Sequence, residues 1–178
     1  LTGILSVTSG DAELRDSKTG EIFSLVKQLP QVRERIGLCP QHDILFPTMT
    51  VWEHLIFYGQ VNGMKKGQEL DDLAMDLLTK IGLKEKILFQ SKMLSGGQKR
   101  KLSVCIALIG NTQLIILDEP TTGMDPYSRR ATWSLIKEYK QQRCIILTTH
   151  FMDEAEIFAD RIGIMLNGKL VCCGSTLH

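Results

Sequence analysis

Apolar residues along the chain occur in two patterns, short continuous runs and longer stretches in which they recur every three or four residues. A short run is typical of a strand that is covered on both faces, whereas the wider spacing is typical of an amphipathic helix. The short runs predict strands at residues 35–39, 114–117, 144–148, 162–166 and 169–173. The wider spacing predicts helices at residues 51–61, 68–81, 96–109, 127–141 and 151–158.

Strands and helices therefore alternate, which favours an α/β layered fold with a mainly parallel sheet. No repeat, low-complexity tract or Pro/Ser-rich linker divides residues 1–178, so a single domain is expected. Residues 46–93 carry helical signals and no good strand. This segment is expected to be a helical subdomain inserted into an α/β core formed by the remainder.

Three helix starts are marked by capping residues. Residues 50–53 read Thr-Val-Trp-Glu and residues 95–98 read Ser-Gly-Gly-Gln, and both fit a capping box. Asp125 followed by Pro126 predicts an Asp N-cap with proline at the first helical position. Two of these starts coincide with candidate chemical motifs, which matters because helix N-termini favour anions.

Composition narrows the class of protein. The 178 residues are 43% apolar and 23% charged, which is ordinary for a globular domain, and a formal net charge of +1 gives no support to nucleic-acid binding. The longest unbroken apolar run, residues 104–109, is far shorter than the ~20 residues that span a bilayer, so the chain is not expected to cross a membrane by itself. Five cysteines without a CxxC pair favour reduced thiols in a cytosolic setting.

Two acids, Asp118 and Glu119, follow the apolar run at residues 114–117. A carboxylate at the C-terminal end of a buried parallel strand lies in the crevice where α/β sheets bind ligands. In P-loop ATPases such an aspartate supports Mg²⁺, and the next acid orients or deprotonates water. Taken alone, the same pattern fits a strand that ends in a solvated turn.

A Gly-Gly pair stands at the start of the predicted helix at residues 96–109, in the sequence Ser95-Gly96-Gly97-Gln98. Paired glycines have no Cβ atoms, so phosphate oxygens can approach the backbone N–H groups closely at the positive end of the helix. The serine adds a hydroxyl donor. The alternative is a tight loop with a capping serine and no ligand.

Two further polar residues follow predicted strands. Taken singly, His150 after residues 144–148 is most simply a structural or surface residue, and Gln41 is a polar loop residue. His42 and Asp43 beside it suggest a metal, but no second pair of ligands occurs at a fitting spacing, so no zinc site is expected.

The order of these features along the chain resembles the family of ATP-binding cassette (ABC) ATPases, which have a P-loop NTPase-like α/β fold. The matching features are Gln41 with the Q-loop glutamine, residues 94–98 with the family signature, residues 114–118 with the Walker B strand, Glu119 with the catalytic glutamate, Gly123-Met124-Asp125 with the D-loop and His150 with the switch histidine. Residues 37–46, 50–55, 118–126 and 173–175 further resemble subfamily A, the lipid-exporting full transporters. Gln98 departs from that pattern, since subfamily A proteins often carry Met there.

The resemblance implies an ATPase in which ATP hydrolysis is coupled to transport. Glu119, His150 and Gln41 would be catalytic, with Glu119 as the general base toward water and His150 in contact with the γ-phosphate. Asp118 and Gln41 would hold Mg²⁺, the implied cofactor.

The resemblance also implies partners. Two such domains pair head to tail around two ATP molecules, on the cytoplasmic face of a membrane transporter. Asp125 would couple the two sites, and residues 46–93 would contact the transmembrane domains. The signature residues would bind the nucleotide held by the partner domain: Ser95, Gly96, Gly97 and Gln98.

One expected motif is absent from the sequence. No G-x-x-x-x-G-K-[ST] phosphate loop (Walker A) occurs, and Gly168-Lys169 is followed by Leu170. Residues 1–5 resemble the end of the helix that follows this loop in the family, and the chain does not begin with Met. We therefore expect a partial ABC domain without its first strands and phosphate loop, with little or no ATPase activity by itself.

Two other functions are alternatives to a catalytic transporter domain. The chain could be a non-catalytic signature donor, which completes a partner's ATP site and binds none of its own. It could also belong to a DNA-repair or chromosome-organising ATPase, but these proteins carry long coiled coils between their motifs. The segment between Gln41 and Leu94 is too short for one and has no sustained heptads.

Overall fold

Strands alternate with helices in the computed structural model, which describes residues 2–3, 6–17 and 19–175. Two single 3₁₀ turns lie at Lys84–Lys86 and Ser91–Met93. The strands are β1 (Glu13–Arg15), β2 (Ile22–Ser24), β3 (Ile36–Cys39), β4 (Leu114–Asp118), β5 (Cys144–Thr148), β6 (Arg161–Leu166) and β7 (Lys169–Ser175). The helices are α1 (Leu29–Arg33), α2 (Val51–Val61), α3 (Gln68–Lys80), α4 (Gly96–Leu108), α5 (Pro126–Lys140) and α6 (Met152–Phe158).

The central sheet consists of β3, β4 and β5 in that order, all parallel. Its register pairs Cys39 with Leu117 and Asp118 with Thr148, so the C-terminal ends of the three strands meet at one edge. β1 pairs with β2, and β6 with β7, as separate antiparallel ladders. The α/β class and the mainly parallel central sheet are confirmed.

The predicted elements begin and end within two residues of the observed ones. Both capping boxes form, at Thr50 and at Ser95, and Asp125 caps α5 with proline at the start of the helix. β1, β2 and α1 were not predicted, because elements of three to five residues are too short to show a period. Residues 1, 4 and 5 of the predicted N-terminal helix end lie outside the described residues.

The expectation that residues 144–148 are covered on both faces is wrong for this chain. Ile145 and Leu147 pack against the core, whereas Cys144, Ile146 and Thr148 on the opposite face are exposed. Helix packing covers one face of β5 and leaves the other open. Its apolar run therefore reflects one buried face together with exposed apolar side chains.

A large hydrophobic core connects helices α2 to α6 to the sheet, and a second, smaller cluster packs Val32 of α1 against Ile36 and Leu114. α4 lies at the centre of the large core, with every residue from Arg100 to Leu108 buried. Residues 46–93 contain α2, α3 and the two 3₁₀ turns, and their described part includes no ladder strand. Their division from the sheet as a subdomain stays a prediction, because the core is continuous across them. The fully buried side chains of this core include Leu55, Leu70, Leu77, Leu102, Ile115, Leu117 and Leu135.

Gly37 allows β3 to lie directly against α4. A Cβ at this position would lie 1.9 Å from the carbonyl oxygen of Ala107, a backbone atom that cannot move aside cheaply. Only glycine permits this close approach. Because β3 continues into Pro40 and Gln41, the contact fixes the start of the loop that carries the glutamine.

Among the helices of the described residues, none is both long and apolar enough to cross a bilayer.

Candidate functional site

The candidate site lies at the edge of the sheet where the three parallel strands end. β3 leads into Gln41, β4 ends at Asp118 and continues into Glu119, and β5 leads into His150. This edge is where open α/β sheets bind ligands. Four residues that are scattered over more than one hundred positions in the sequence thus come to one place.

Asp118 is half-buried at the end of β4. Its Oδ1 accepts a hydrogen bond from the hydroxyl of Thr148, the residue directly opposite in the register. A carboxylate has about four acceptor positions, so this bond orients Asp118 without exhausting it. Carboxylate and amide oxygens fit Mg²⁺, which usually binds one or two protein oxygens and completes its coordination with phosphates and water. Asp118 and Gln41 offer such a pair.

Glu119 has a positive φ of 50°, which is uncommon for a residue with a side chain. Its backbone N–H donates to the Thr148 carbonyl oxygen at 3.0 Å, which holds the sharp turn after β4. Such locally strained conformations concentrate at functional sites. The turn carries the Glu119 side chain back over the sheet edge, toward His150.

Three side chains contact the Glu119 carboxylate. The Thr122 hydroxyl donates to Oε2 at 3.1 Å, His150 Nδ1 lies 3.4 Å from Oε1, and the Gln41 side chain lies close enough to help lower the pKa of this carboxyl. The Thr122 bond is the main cause that lowers the pKa of Glu119 below its ordinary value, with His150 and Gln41 adding to it against partial burial. The carboxylate is therefore ionised at neutral pH.

His150 is positioned by its aromatic neighbour. Its ring lies 4.1 Å from the ring of Phe151, centroid to centroid, and the Arg129 guanidinium lies 4.3 Å from the Phe151 centroid. The Phe151 N–H donates to Thr149 Oγ1 at 3.0 Å. More than half of the His150 side chain is exposed, so its ring is accessible to a ligand.

The signature residues form a second group at the start of α4. Ser95 Oγ accepts from the Gln98 N–H at 3.3 Å, and Gln98 Oε1 accepts from the Ser95 N–H at 3.0 Å. Ser95 thus caps the helix through its lone pairs, which leaves the hydroxyl proton free to donate elsewhere. The Gln98 carbonyl is engaged in the capping box.

The folded chain does not itself require the two signature glycines. Neither has a positive φ, and a Cβ on Gly96 would meet no atom within 4 Å. A Cβ on Gly97 would lie 3.6 Å from the Gly123 carbonyl oxygen, which is an ordinary contact. The contact also places the signature beside the loop that leads to Asp125.

Asp125 is committed to the start of α5. Its Oδ1 accepts from the N–H groups of Tyr127 and Ser128, both at 3.0 Å. Hydrogen bonding with Ser128 is the main cause that lowers the pKa of Asp125. Although Asp125 caps the helix, it is exposed and is therefore accessible from outside the chain.

The structure therefore divides the predicted residues into two groups, one around Glu119 and one around the signature with Asp125, joined by residues 119–125. Sequence reasoning missed three residues that orient the first group. Thr122 lies within the predicted motif segment, Thr148 is found only once the strand register is known, and Phe151 gives no sequence signal.

Comparison with solved structures defines the class of protein. The chain superposes on one described as the ATP binding subunit of an ABC transporter with a TM-score of 0.78 and 26% identity, covering 89% of this chain and 68% of that one. It also shares the fold of a bacterial ABC transporter cassette, MJ0796, with a TM-score of 0.80 at 22% identity, covering 96% and 75% of the two chains. The fold is that of an ABC ATPase cassette.

The family model described as ABC transporter matches residues 1–122. The chain belongs to the ABC transporter family. It is similar to the phospholipid-transporting ATPase ABCA3 of Homo sapiens, with 49% identity over 177 residues, which is 99% of this chain. It is also 47% identical to ATP-binding cassette sub-family A member 17 of Mus musculus and to the retinal-specific phospholipid-transporting ATPase ABCA4 of Homo sapiens, over 98% and 99% of this chain.

The relatives are far longer than the matched region. The chain spans 10% of the length of ABCA3 and of member 17, and 8% of the length of ABCA4. The match therefore assigns the family to this region of sequence, and the activity of the whole relatives is a separate matter.

Proposed function

We propose that this chain is a nucleotide-binding domain of a subfamily A transporter, in which ATP binding and hydrolysis drive the movement of a lipid across a membrane. Two relatives are named phospholipid-transporting ATPases, and identity to them reaches 47–49% over almost the whole chain. The observation that carries the proposal is the convergence of Gln41 and His150 on the Glu119 carboxylate at the end of a buried parallel strand.

Glu119 acts as the general base in this proposal. Its lowered pKa keeps the carboxylate ionised at neutral pH, so it can accept a hydrogen bond and then a proton from the attacking water. Gln41 and His150 lie beside the carboxylate on two other loops, and the exposed His150 ring contacts the γ-phosphate.

Mg²⁺ is the cofactor in this proposal, and Asp118 with Gln41 would hold it at the sheet edge. When bound with ATP, the ion neutralises the charge of the phosphates. Thr148 keeps the Asp118 carboxylate in a fixed orientation for this role.

The signature serves a second nucleotide-binding domain. Gly96 and Gly97 are not required by their φ angles or by crowding, so their lack of side chains leaves room for a group from outside the chain. A γ-phosphate held by the partner domain fits, because the α4 N-terminus and the free Ser95 hydroxyl proton both favour an anion. The exposed Asp125 lies beside this surface and links the two nucleotide sites.

The transmembrane domains would dock on the helical side, beside the Gln41 loop, at the cytoplasmic face of the membrane. Phe46 and Phe57 are both partly exposed and pack edge to face, with ring centroids 5.9 Å apart. Ile44 and Leu88 are also largely exposed. Exposed apolar groups such as the Phe46–Phe57 pair are typical of a protein interface.

The decisive experiment replaces Glu119 in the full-length transporter that carries this chain. Glu119→Gln removes the base and nearly preserves the shape, so ATP hydrolysis should fall by two or more orders of magnitude while ATP binding persists. Glu156→Gln on the exposed face of α6 is the matched control and should hydrolyse ATP at the wild-type rate. Equal turnover of the Glu119 variant and the wild type would overturn the assignment of the base.

A second experiment tests the signature. Asn caps a helix as well as Ser does, but its amide is placed differently, so Ser95→Asn should keep the thermal midpoint while losing ATP-driven pairing of the two domains and turnover. Pairing is measured on a Glu119→Gln background, which traps the ATP-bound state. If Ser95→Asn still pairs like its parent, Ser95 is only a helix cap.

The alternative function is a signature donor that binds no ATP through its own residues. In this alternative these 178 residues contribute the signature and no G-x-x-x-x-G-K-[ST] phosphate loop. Calorimetry of the 178-residue chain with Mg-ATP tests this alternative, which expects weak affinity. Micromolar affinity, about −8 kcal/mol, would exclude the alternative.

A further inference from the structure

Arg100 is a charged residue at the centre of the molecule. It lies in the second turn of α4, one turn after the signature, and only 3% of its surface is exposed. Fully buried arginines are uncommon and need hydrogen-bonding partners for their donors. Its partners belong to the two loops that carry the residues of the first group.

Four hydrogen bonds leave the Arg100 guanidinium. One terminal nitrogen donates to the Pro40 carbonyl oxygen and, at 3.1 Å, to the Asp43 carboxylate. The other donates to the carbonyl oxygens of Asp118 and of Glu119, the latter at 2.9 Å. Four of its five N–H donors are thus used, and the fifth, at Nε, has no partner among the described residues.

These acceptors lie next to the residues proposed to act on ATP. Pro40 precedes Gln41, and Asp118 and Glu119 are themselves the Mg²⁺-supporting acid and the base. In sequence, Arg100 is 57 to 60 residues from its acceptors on the Gln41 loop and 18 to 19 residues from those at the end of β4. A planar guanidinium suits this geometry, because its fixed fork sets the spacing between the two loops.

The charge of Arg100 is balanced locally. The Asp43 carboxylate pairs with it and also accepts from the Ser103 hydroxyl at 2.9 Å, so the acid is held from one more turn of the same helix. A buried ion pair of this kind adds little net stability by itself, but removing one partner is costly. Its effect is to determine where the attached backbone lies.

We propose that Arg100 is a positioning residue for ATP hydrolysis, which sets the separation between the Gln41 loop and the backbone of Asp118 and Glu119. This inference rests on the proposed function. Because α4 begins at the signature, the same side chain also joins the surface facing the partner's nucleotide to the chain's own hydrolytic residues. Arg100 touches neither substrate nor metal and acts through the two loops.

Arg143 provides a matched control. It too donates to backbone carbonyls, those of Leu108 and Gly110 at 2.8 Å each, and to the Thr112 hydroxyl at 3.2 Å. These acceptors lie at the opposite end of α4, away from the site. Replacing Arg143 therefore removes a comparable set of bonds without touching either loop.

The test compares Arg100→Lys and Arg100→Gln with Arg143→Lys and Arg143→Gln in the full-length transporter. Lysine keeps the charge and the stem but not the fork, so Arg100→Lys should lower kcat at least tenfold while KM for ATP changes less than threefold. Arg143→Lys should lower the thermal midpoint by a similar amount and keep kcat within twofold. Hydrogen–deuterium exchange should rise at residues 40–43 and 118–122 only in the Arg100 variants.

The outcomes separate this inference from the proposed function. If the wild type hydrolyses ATP in a Glu119-dependent manner but Arg100→Lys keeps kcat within twofold, the positioning role is wrong and the proposed function stands. An equal loss of kcat in the Arg143 variants would mean that general destabilisation is the cause, which also overturns the role. A wild type without Glu119-dependent hydrolysis overturns both. Should Arg100→Gln fail to accumulate, the charge-retaining lysine variant decides.

Discussion

The two sides of the central sheet are packed in opposite ways. On the side of β4 and α4, the apolar residues of the strand and nearly the whole helix are buried. On the side of β5, β6 and β7, apolar side chains face outward, and every residue of β7 is exposed. Large exposed apolar residues there are Ile146, Ile164, Met165, Leu166, Leu170 and Val171.

A groove of about 760 Å³ between β5, α6 and β6 marks the open side. The buried Glu154 lines it: one carboxylate oxygen accepts from Thr121 and from the Trp133 indole, while the other is buried without a partner in the structure as described. An apolar surface of this extent is typical of one that contacts further protein. Apolar runs of the same strength are thus buried within the chain in β4 and left at its surface in β7.

The largest expected difference between the two sides is the cost of removing a leucine side chain. Leu117→Ala in β4 should reduce the free energy of unfolding by about 2–5 kcal/mol, because it leaves a cavity in the core. Leu170→Ala in β7 should change it by less than about 0.5 kcal/mol, because this side chain is mostly exposed. Chemical denaturation of the purified domain measures both, and similar costs at the two positions would contradict the packing difference.

Two glycines differ in the same way at the level of the backbone. Gly37→Ala should destabilise the domain by about 1–3 kcal/mol, since the new Cβ meets the Ala107 carbonyl oxygen and α4 must move. Gly174→Ala in β7 is the counterpart on the open side, where a Cβ meets nothing within 4 Å. Thermal unfolding should therefore leave Gly174→Ala near the wild type. A Gly37 variant that unfolds at the wild-type temperature would show that β3 and α4 can separate without cost.

Much of the packed side could be predicted from the sequence, because its signals are local. Caps at Ser95 and Asp125 depend on residues within one turn, and the strand at β4 is a continuous apolar run. On the open side, the dipeptide Asn167-Gly168 between β6 and β7 is a sequence signal for a tight hairpin turn. Its φ angles of 49° and 74° agree with that turn. The open face of β5 could not be predicted from the sequence, because the pattern of apolar residues does not show whether another element covers a strand.

The candidate site divides in the same way. Gln41, Glu119 and His150 follow strands and Asp118 ends one, and the order of their motifs predicted them as site residues, which stays a prediction. Arg100 was beyond this reasoning, because a basic residue on a helix ordinarily faces solvent. Its burial depends on two loops, at residues 40–43 and 118–119, that meet only after folding.

The smallest expected effect concerns pH, and it belongs to the packed side. His54 is fully buried: its Nε2 accepts from the Phe46 N–H at 3.0 Å, and its Nδ1 lies 2.7 Å from the Thr50 carbonyl oxygen. A neutral ring with the proton on Nδ1 satisfies both contacts, and burial lowers the pKa of His54. The folded state thus favours the neutral form, whereas the unfolded chain takes up a proton below about pH 6.5. The stability that His54 contributes is therefore complete above this pH and is lost as the pH falls through the lower folded pKa.

Unfolding midpoints measured from pH 8 to pH 5 should decline less steeply in His54→Gln than in the wild type, while the exposed His42→Gln should follow the wild type. Parallel curves for His54→Gln and the wild type would mean that the ring is not held neutral by the Phe46 contact.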